Sequence, residues 1–172
     1  MSSLQTARLI LRPFVESDLD ALSALMANQD FMRFSLGVFS REETAGFLEK
    51  VRARDRAGLP SQFAVVLREN GRLVGYCGFF LQVVDEEEDL EIGYRIDPAF
   101  WNRGIATEAA RAVRDHAFTK LNLRRVISLI HPDNAASRRV AEKNGMTPEK
   151  QTVFRGFPTI VFRIDNPTSG SR

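Results

Sequence analysis

Trp101-Asn102-Arg103-Gly104-Ile105-Ala106-Thr107-Glu108-Ala109 is the stretch whose reading decides the fold. The run before it, Leu90-Glu91-Ile92-Gly93-Tyr94-Arg95-Ile96, alternates in polarity and reads as a strand closed by Asp97-Pro98. After it, Ile105, Ala109, Ala112, Val113 and Ala117 recur on one side, so the spacing predicts a helix over residues 104–121. Gly104 and Ala106 therefore sit where a short turn feeds a helix. A helix start presents unpaired backbone N–H groups and the positive end of the macrodipole. Small residues there let an anionic phosphate approach the backbone. The stretch is a candidate pyrophosphate turn; the plainer alternative makes Gly104 a helix cap and Trp101 a core anchor.

Outward from this point, the chain alternates strands and helices. Residues 4–12 form a plausible first strand ended by Pro13. Leu19, Leu22, Leu25 and Met26 mark a helix opened by Ser17-Asp18, and Met32 to Phe39 is irregular and aromatic. Ser40-Arg41-Glu42-Glu43 has the form of a capping box, and Gly58 and Pro60 stop the helix that it starts. Phe63 to Leu67 and Leu73 to Val84 read as strands joined through Asn70-Gly71, a strong hairpin signal. Asp85 to Asp89 reads as a second turn, either a solvated hairpin tip or an attractor for a cationic substrate. Beyond the central helix come a strand around Val126 to Ile130, a helix opened by His131-Pro132-Asp133-Asn134 and ended by Gly145, and a terminal hairpin. The order mixes hairpins with a strand-helix-strand crossover, so the fold class is α/β (α+β) around a mixed sheet. The expected organisation is a single domain over residues 1–165 with a loose polar tail at 166–172.

Composition narrows the function classes. The chain has 172 residues, 44% of them apolar and 27% charged, as in an ordinary globular protein. Neither a long apolar run nor a leader-like start is present, so no membrane span is expected and the cytoplasm is the expected location. Cys77 is the single cysteine, which excludes an internal disulfide and leaves no structural metal site in view. The net charge of +2 is dispersed, which argues against direct nucleic-acid binding.

With its surroundings, the opening stretch resembles the acyl-CoA-binding motif of the GNAT superfamily of N-acetyltransferases, here Trp101-x-x-Gly104-x-Ala106. Trp in the first place departs from the usual Arg or Gln and is similar to the RimJ/RimL-type branch, which acetylates ribosomal-protein N-termini. Asn102 stands where that branch usually has Gly. Thr6 to Pro13, Glu91-Ile92-Gly93-Tyr94 and Asn134 to Met146 resemble the same branch, and the resemblance spans roughly residues 4–164. It implies a mostly antiparallel central sheet flanked by helices, with a splayed strand pair that admits acetyl-CoA as co-substrate and with no metal. Tyr94, Arg95 and Ile96 would then offer backbone groups to pantetheine. Trp101, Asn102, Arg103, Gly104, Ile105, Ala106 and Thr107 would surround the pyrophosphate. Asn134 would lie against the coenzyme, and Arg138, with Arg139 and Lys143, would reach the adenosine phosphates unless these residues form a solvated helix face.

The chemistry follows from what an amine needs to attack a thioester. An α-amine with a pKa of about 7.7–8.0 is neutral in roughly a tenth of molecules at pH 7, a lysine of about 10.4 in far fewer. A protein N-terminus therefore needs only a weak base, and Glu91 is the candidate; its other reading is a solvent-facing strand residue. Ser137 is the candidate to assist the departing thiolate by hydrogen bonding, in place of the Tyr that many members use. Asn134 and Ser137 are three apart and share a helix side, although Asn134 also suits a plain N-cap. His116 and His131 read as structural. The expected function is acetyl transfer to a primary amine in a ternary complex, with a protein N-terminus as the leading acceptor. A small amine (antibiotic, polyamine or amino-acid derivative) or a non-catalytic acyl-CoA sensor remain the alternatives. No motif fixes the oligomeric state, and a homodimer stays open.

Overall fold

The computed structural model describes residues 1–168. One eight-stranded sheet has the order β1-β2-β3-β4-β5-β6-β8-β7, with strands β1 (Leu4–Gln5), β2 (Leu9–Pro13), β3 (Gln62–Leu67), β4 (Leu73–Val84), β5 (Glu87–Ile96), β6 (Arg125–Ile130), β7 (Thr147–Phe154) and β8 (Phe157–Asp165). Helices α1 (Leu19–Met26) and α2 (Arg41–Arg56) separate β2 from β3; α3 (Ile105–Thr119) and α4 (Ala135–Lys143) flank β6. Every pairing is antiparallel except β5 with β6. This is the mixed, mostly antiparallel sheet that the alternation of hairpins and a crossover predicts. Among the described residues no helix is long and apolar enough to cross a membrane.

Strand alternation sends side chains to two packed layers. Leu9, Leu11, Phe63, Val74, Phe79 and Ile92 meet Ile105, Ala109, Val113 and Ala117 of α3 on one face. Ala64, Val66 and Tyr76 meet Leu22, Met26, Leu48 and Val51 of α1 and α2 on the other. The capping box at α2 is complete: Ser40 Oγ accepts from the Glu43 N–H at 3.1 Å, and Glu43 accepts from the Ser40 N–H at 2.7 Å.

Three expectations change. The first strand is two, because the chain folds back at Thr6–Arg8 and pairs Leu4 with Leu11. The second turn is only Asp85-Glu86, both left-handed (φ 48° and 70°), while Glu87 to Asp89 already belong to β5. Three of the five carboxylates are paired: Arg125 holds Glu87 and Asp89, and Lys150 holds Asp85 at 2.9 Å. An acidic run does not break a strand when basic neighbours from elsewhere in the chain neutralise it. Finally, Asn166, grouped with the tail by composition, is buried, and its Nδ2 donates to the Leu123 carbonyl at 3.0 Å. Residues 169–172 lie outside the described residues.

Candidate functional site

The turn before α3 is held in an unusual backbone shape. Asn102 and Gly104 are both left-handed, at φ 59° and 75°, and Gly104 is the N-cap of α3. Asparagine is among the few non-glycine residues that enter this region readily, so Asn102 preserves the turn that a glycine would make. Trp101 is not a core anchor. Its ring is 41% exposed and its indole N–H donates to the Ile96 carbonyl at 2.8 Å, tying the turn to the end of β5. Phe100 lies between two guanidinium groups, Arg72 at 5.0 Å and Arg103 at 5.3 Å from the ring centre.

A second brace comes from the N-terminal hairpin. Glu108, in the first turn of α3, accepts from the Thr6 hydroxyl at 2.6 Å, the Arg8 amide at 2.9 Å and the Arg8 guanidinium at 2.7 Å. Burial alone would raise the Glu108 pKa; these donors outweigh it and the carboxyl titrates low. Arg8 also donates to the Arg103 carbonyl at 2.7 Å. Two stretches about a hundred residues apart in the chain therefore meet at one ion pair.

The strand before the turn parts from its parallel neighbour. Glu91 with Ile127 is the single registered pair between β5 and β6. Just beyond it, Ser128 Oγ donates to the Ile92 carbonyl at 2.8 Å and satisfies a group left without a strand partner. Since alternate residues turn their backbone groups to the same edge, Tyr94 and Ile96 face the same opening as Ile92. Trp101 takes the Ile96 carbonyl. What remains on this edge is the backbone of Tyr94 and the amide of Ile96.

A cavity of about 470 Å³ lies along the β5 side of this opening. Its walls include Tyr94, Arg95, Ile96, Trp101, Asn102, Gly104, Ile105, Ala106, Thr107, Asn134 and Ser137. Phe31, Arg33 and Phe34, from the α1–α2 connection, close its other end. Arg95 fixes that connection by donating to the Phe31 and Arg33 carbonyls, both at 2.8 Å, and Phe34 stacks on His131 at 5.3 Å. The cavity thus touches the α3–α4 side of the sheet at one end and the α1–α2 side at the other. Glu91, Arg103 and Arg138 stand outside its walls, whereas Phe100, Arg139 and Lys143 belong to them. Arg138 instead donates to the Pro132 carbonyl at 3.4 Å.

The two candidate chemical groups flank the opening. Glu91 is half-buried and sits opposite Phe80 of β4, on the α1–α2 side. Its carboxylate accepts from Gln82 Nε2 at 2.6 Å. Burial lifts its pKa above the ordinary carboxylate range, against the Gln82 bond, the Leu129 amide turned toward it, and the charges of Arg155 and Arg95. Ser137 lies across the opening on α4, where Asn134 Oδ1 caps the helix by accepting from the Ser137 N–H at 3.1 Å. Sequence reasoning did not place a side-chain hydroxyl of β5 here, yet Tyr94 donates to the Ser137 carbonyl at 3.2 Å. Burial pushes its phenol pKa up, so it stays a proton donor. The shape fits a pantetheine arm with a pyrophosphate at its end: an unpaired strand edge, left-handed residues at a helix start, and Arg139 with Lys143 nearby.

Cys77 and His116 do not line this cavity. Cys77 is fully buried, and burial pushes its thiol pKa up. His116 packs edge-on to Phe63 at 6.0 Å within the α3 layer, and burial lowers its pKa.

Known proteins share this fold. A family model described as an acetyltransferase (GNAT) domain matches residues 8–147. YnaD of Bacillus subtilis, named as an uncharacterized N-acetyltransferase, is 33% identical over 147 residues, covering 85% of this chain and 83% of its own. A GNAT-family acetyltransferase structure from Bacillus anthracis is 28% identical with a TM-score of 0.81, over 96% of this chain and 99% of that one. RimJ of Mycobacterium smegmatis, solved with a CoA disulfide, has a TM-score of 0.79 at 21% identity, over 99% of this chain and 88% of its own, a likeness of fold alone.

Proposed function

This chain belongs to the GNAT family of acetyltransferases, and from that premise we propose that it acetylates a protein N-terminal α-amine, in the manner of the RimJ/RimL-type branch. Acetyl transfer from acetyl-CoA to an amine is what the family does; the acceptor and the residue roles are the proposal. The carrying observation is the cavity beside the parted strands, lined by the end of β5, the turn before α3 and Ser137 of α4, with Glu91 three residues before Tyr94 on the other face of the sheet. Donor and acceptor can then meet in one ternary complex, with direct attack and no covalent enzyme intermediate.

In this reading, the Tyr94 backbone pairs with the pantetheine arm like one more strand edge. The amides around Asn102, Gly104, Ala106 and Thr107 hold the pyrophosphate at the positive end of α3. Glu91 takes the proton of the attacking amine, directly or through one water, as its nitrogen bonds to the thioester carbonyl carbon. As the carbon–sulfur bond breaks, the electron pair leaves on sulfur, and the Ser137 hydroxyl supports the thiolate by hydrogen bonding. A thiol pKa of about 8.5 makes this a modest demand. The burial that raises the Glu91 pKa makes it a better proton acceptor than a free carboxylate, and an α-amine asks for little more.

The test is release of free thiol from acetyl-CoA over a panel of N-terminal peptides, lysine side chains, polyamines and amino sugars. N-terminal peptides should give the highest kcat/KM. Higher turnover of a polyamine or amino sugar would overturn the acceptor and keep the chemistry, whereas tight coenzyme binding with no turnover would favour a sensor. Glu91→Gln should lower kcat/KM at neutral pH by about a hundredfold with the acetyl-CoA Kd unchanged.

A further inference from the structure

We propose that Gln82 and Arg155 form a relay that positions the Glu91 carboxylate for proton acceptance, making the tip of the β7–β8 hairpin a working part of the site. The inference rests on the reading of Glu91 as the base. Gln82 is the polar residue in the β4 run Leu-Val-Gly-Tyr-Cys-Gly-Phe-Phe-Leu-Gln-Val-Val, and it is only 8% exposed. A buried carboxamide is costly unless both its ends are satisfied. Here both are. Nε2 donates to Glu91 at 2.6 Å, and Oε1 accepts from Arg155 Nη2 at 3.2 Å. The orientation admits no flip, because a carboxylate can only accept and a guanidinium can only donate. The amide therefore stands between a positive charge and the acid, with its dipole aligned to both.

The hairpin tip carries the second observation. Arg155 and Gly156 are both left-handed, at φ 49° and 82°, the backbone of a two-residue turn in which Asn-Gly or Gly-Gly is preferred. A long cationic side chain in the first place strains the backbone. That side chain crosses the Phe154 ring, 5.0 Å from its centre, and ends on Gln82. Turn formation does not call for an arginine here; reaching Gln82 does. Arg95 of β5 also faces Glu91 with positive charge, Tyr76 of β4 faces it as a buried neutral phenol, and the Tyr94 phenol is buried on the opposite face of the sheet.

The sign of the effect follows. Burial disfavours the Glu91 carboxylate, while the Gln82 bond and the Arg155 charge favour it. Removing either raises the pH at which the base becomes available. The experiment is a pH profile of kcat/KM for the wild type, Glu91→Gln, Gln82→Leu, Arg155→Asn and Arg155→Lys. The acceptor amine itself gives one acid limb in every variant. The second limb, which steepens the profile at lower pH, belongs to the base and should vanish in Glu91→Gln, move up by about half a unit or more in Gln82→Leu and Arg155→Asn, and return most of the way in Arg155→Lys. Arg155→Asn suits the turn, which offsets the Gln82 oxygen it leaves unpaired, so it should melt close to the wild type, and the melting curve separates lost function from lost structure. If Gln82→Leu fails to fold, Arg155→Asn decides alone. A second limb unmoved in Arg155→Asn, with Glu91→Gln abolishing it, overturns the relay and keeps the base. A second limb that survives in Glu91→Gln overturns the base and the relay with it.

Discussion

Single residues in this protein carry conflicts between local preference and use. Asn102 is the clearest, a non-glycine residue held at φ 59° in the turn before α3. Asn102→Gly should leave stability and the KM for acetyl-CoA close to wild type, because glycine enters that region freely. Asn102→Ala should lose about 1 kcal/mol in chemical denaturation; equal stability of the two variants would show that the turn imposes no such backbone. Gln62 presents the opposite case. It is 1% exposed and neither side-chain polar atom has a hydrogen-bond partner. Gln62→Leu keeps the volume and removes the orphaned amide, so a gain of roughly 1 kcal/mol is expected. Glu91 links charge to stability as well. Its pKa is raised in the fold, so the native state binds the proton more tightly than the unfolded chain. Its contribution to stability is greatest below the ordinary carboxyl pKa and falls as pH rises toward the raised value. Denaturation midpoints of wild type and Glu91→Gln across mildly acid to neutral pH should therefore diverge as pH rises, the variant losing less.

At the scale of elements, the loop from β5 to α3 owes its position to groups that do no chemistry. Trp101→Phe keeps the ring and removes the N–H that meets the Ile96 carbonyl. The expected result is a several-fold higher KM for acetyl-CoA with kcat little changed; a fall in kcat alone would assign Trp101 to the chemical step. Much of this architecture was legible. The capping box, the Asn-Gly hairpin and the strand-turn-helix around Gly104 are local signals, and each forms from residues a few positions apart. The division of the first strand was not legible, since Thr6-Ala7-Arg8 contains neither glycine nor proline and turns because Glu108 binds it from α3. The acidic run misled for the same reason, its partners Arg125 and Lys150 being remote in sequence. In the candidate site, the turn before α3 and the strand that carries Glu91 could be read as elements, whereas the contacts of Gln82 with Arg155 and of Tyr94 with Ser137 join residues 73 and 43 positions apart. A lone glutamine in an apolar strand was the one visible hint.

The molecule as a whole is one sheet made of two ladders, β1 to β5 and β6-β8-β7, joined by a single parallel rung at Glu91 and Ile127. Such a seam is a place where cooperativity can fail. The two ladders are separate candidates for local opening, and amides along the seam should exchange with solvent faster than those inside either ladder. A pantetheine arm laid along Tyr94 would act as the absent strand and stitch the ladders into one cooperative unit. Saturating coenzyme at about a hundred times its Kd should add roughly 2.7 kcal/mol to stability, with the extra exchange protection concentrated at Ile92 to Ile96 and Ser128 to Ile130. Protection spread evenly over the sheet would mean that the ladders already open together. The parted strands would then set the timing of the enzyme as well as its shape: each release of coenzyme unfastens the seam, and each binding event closes it again.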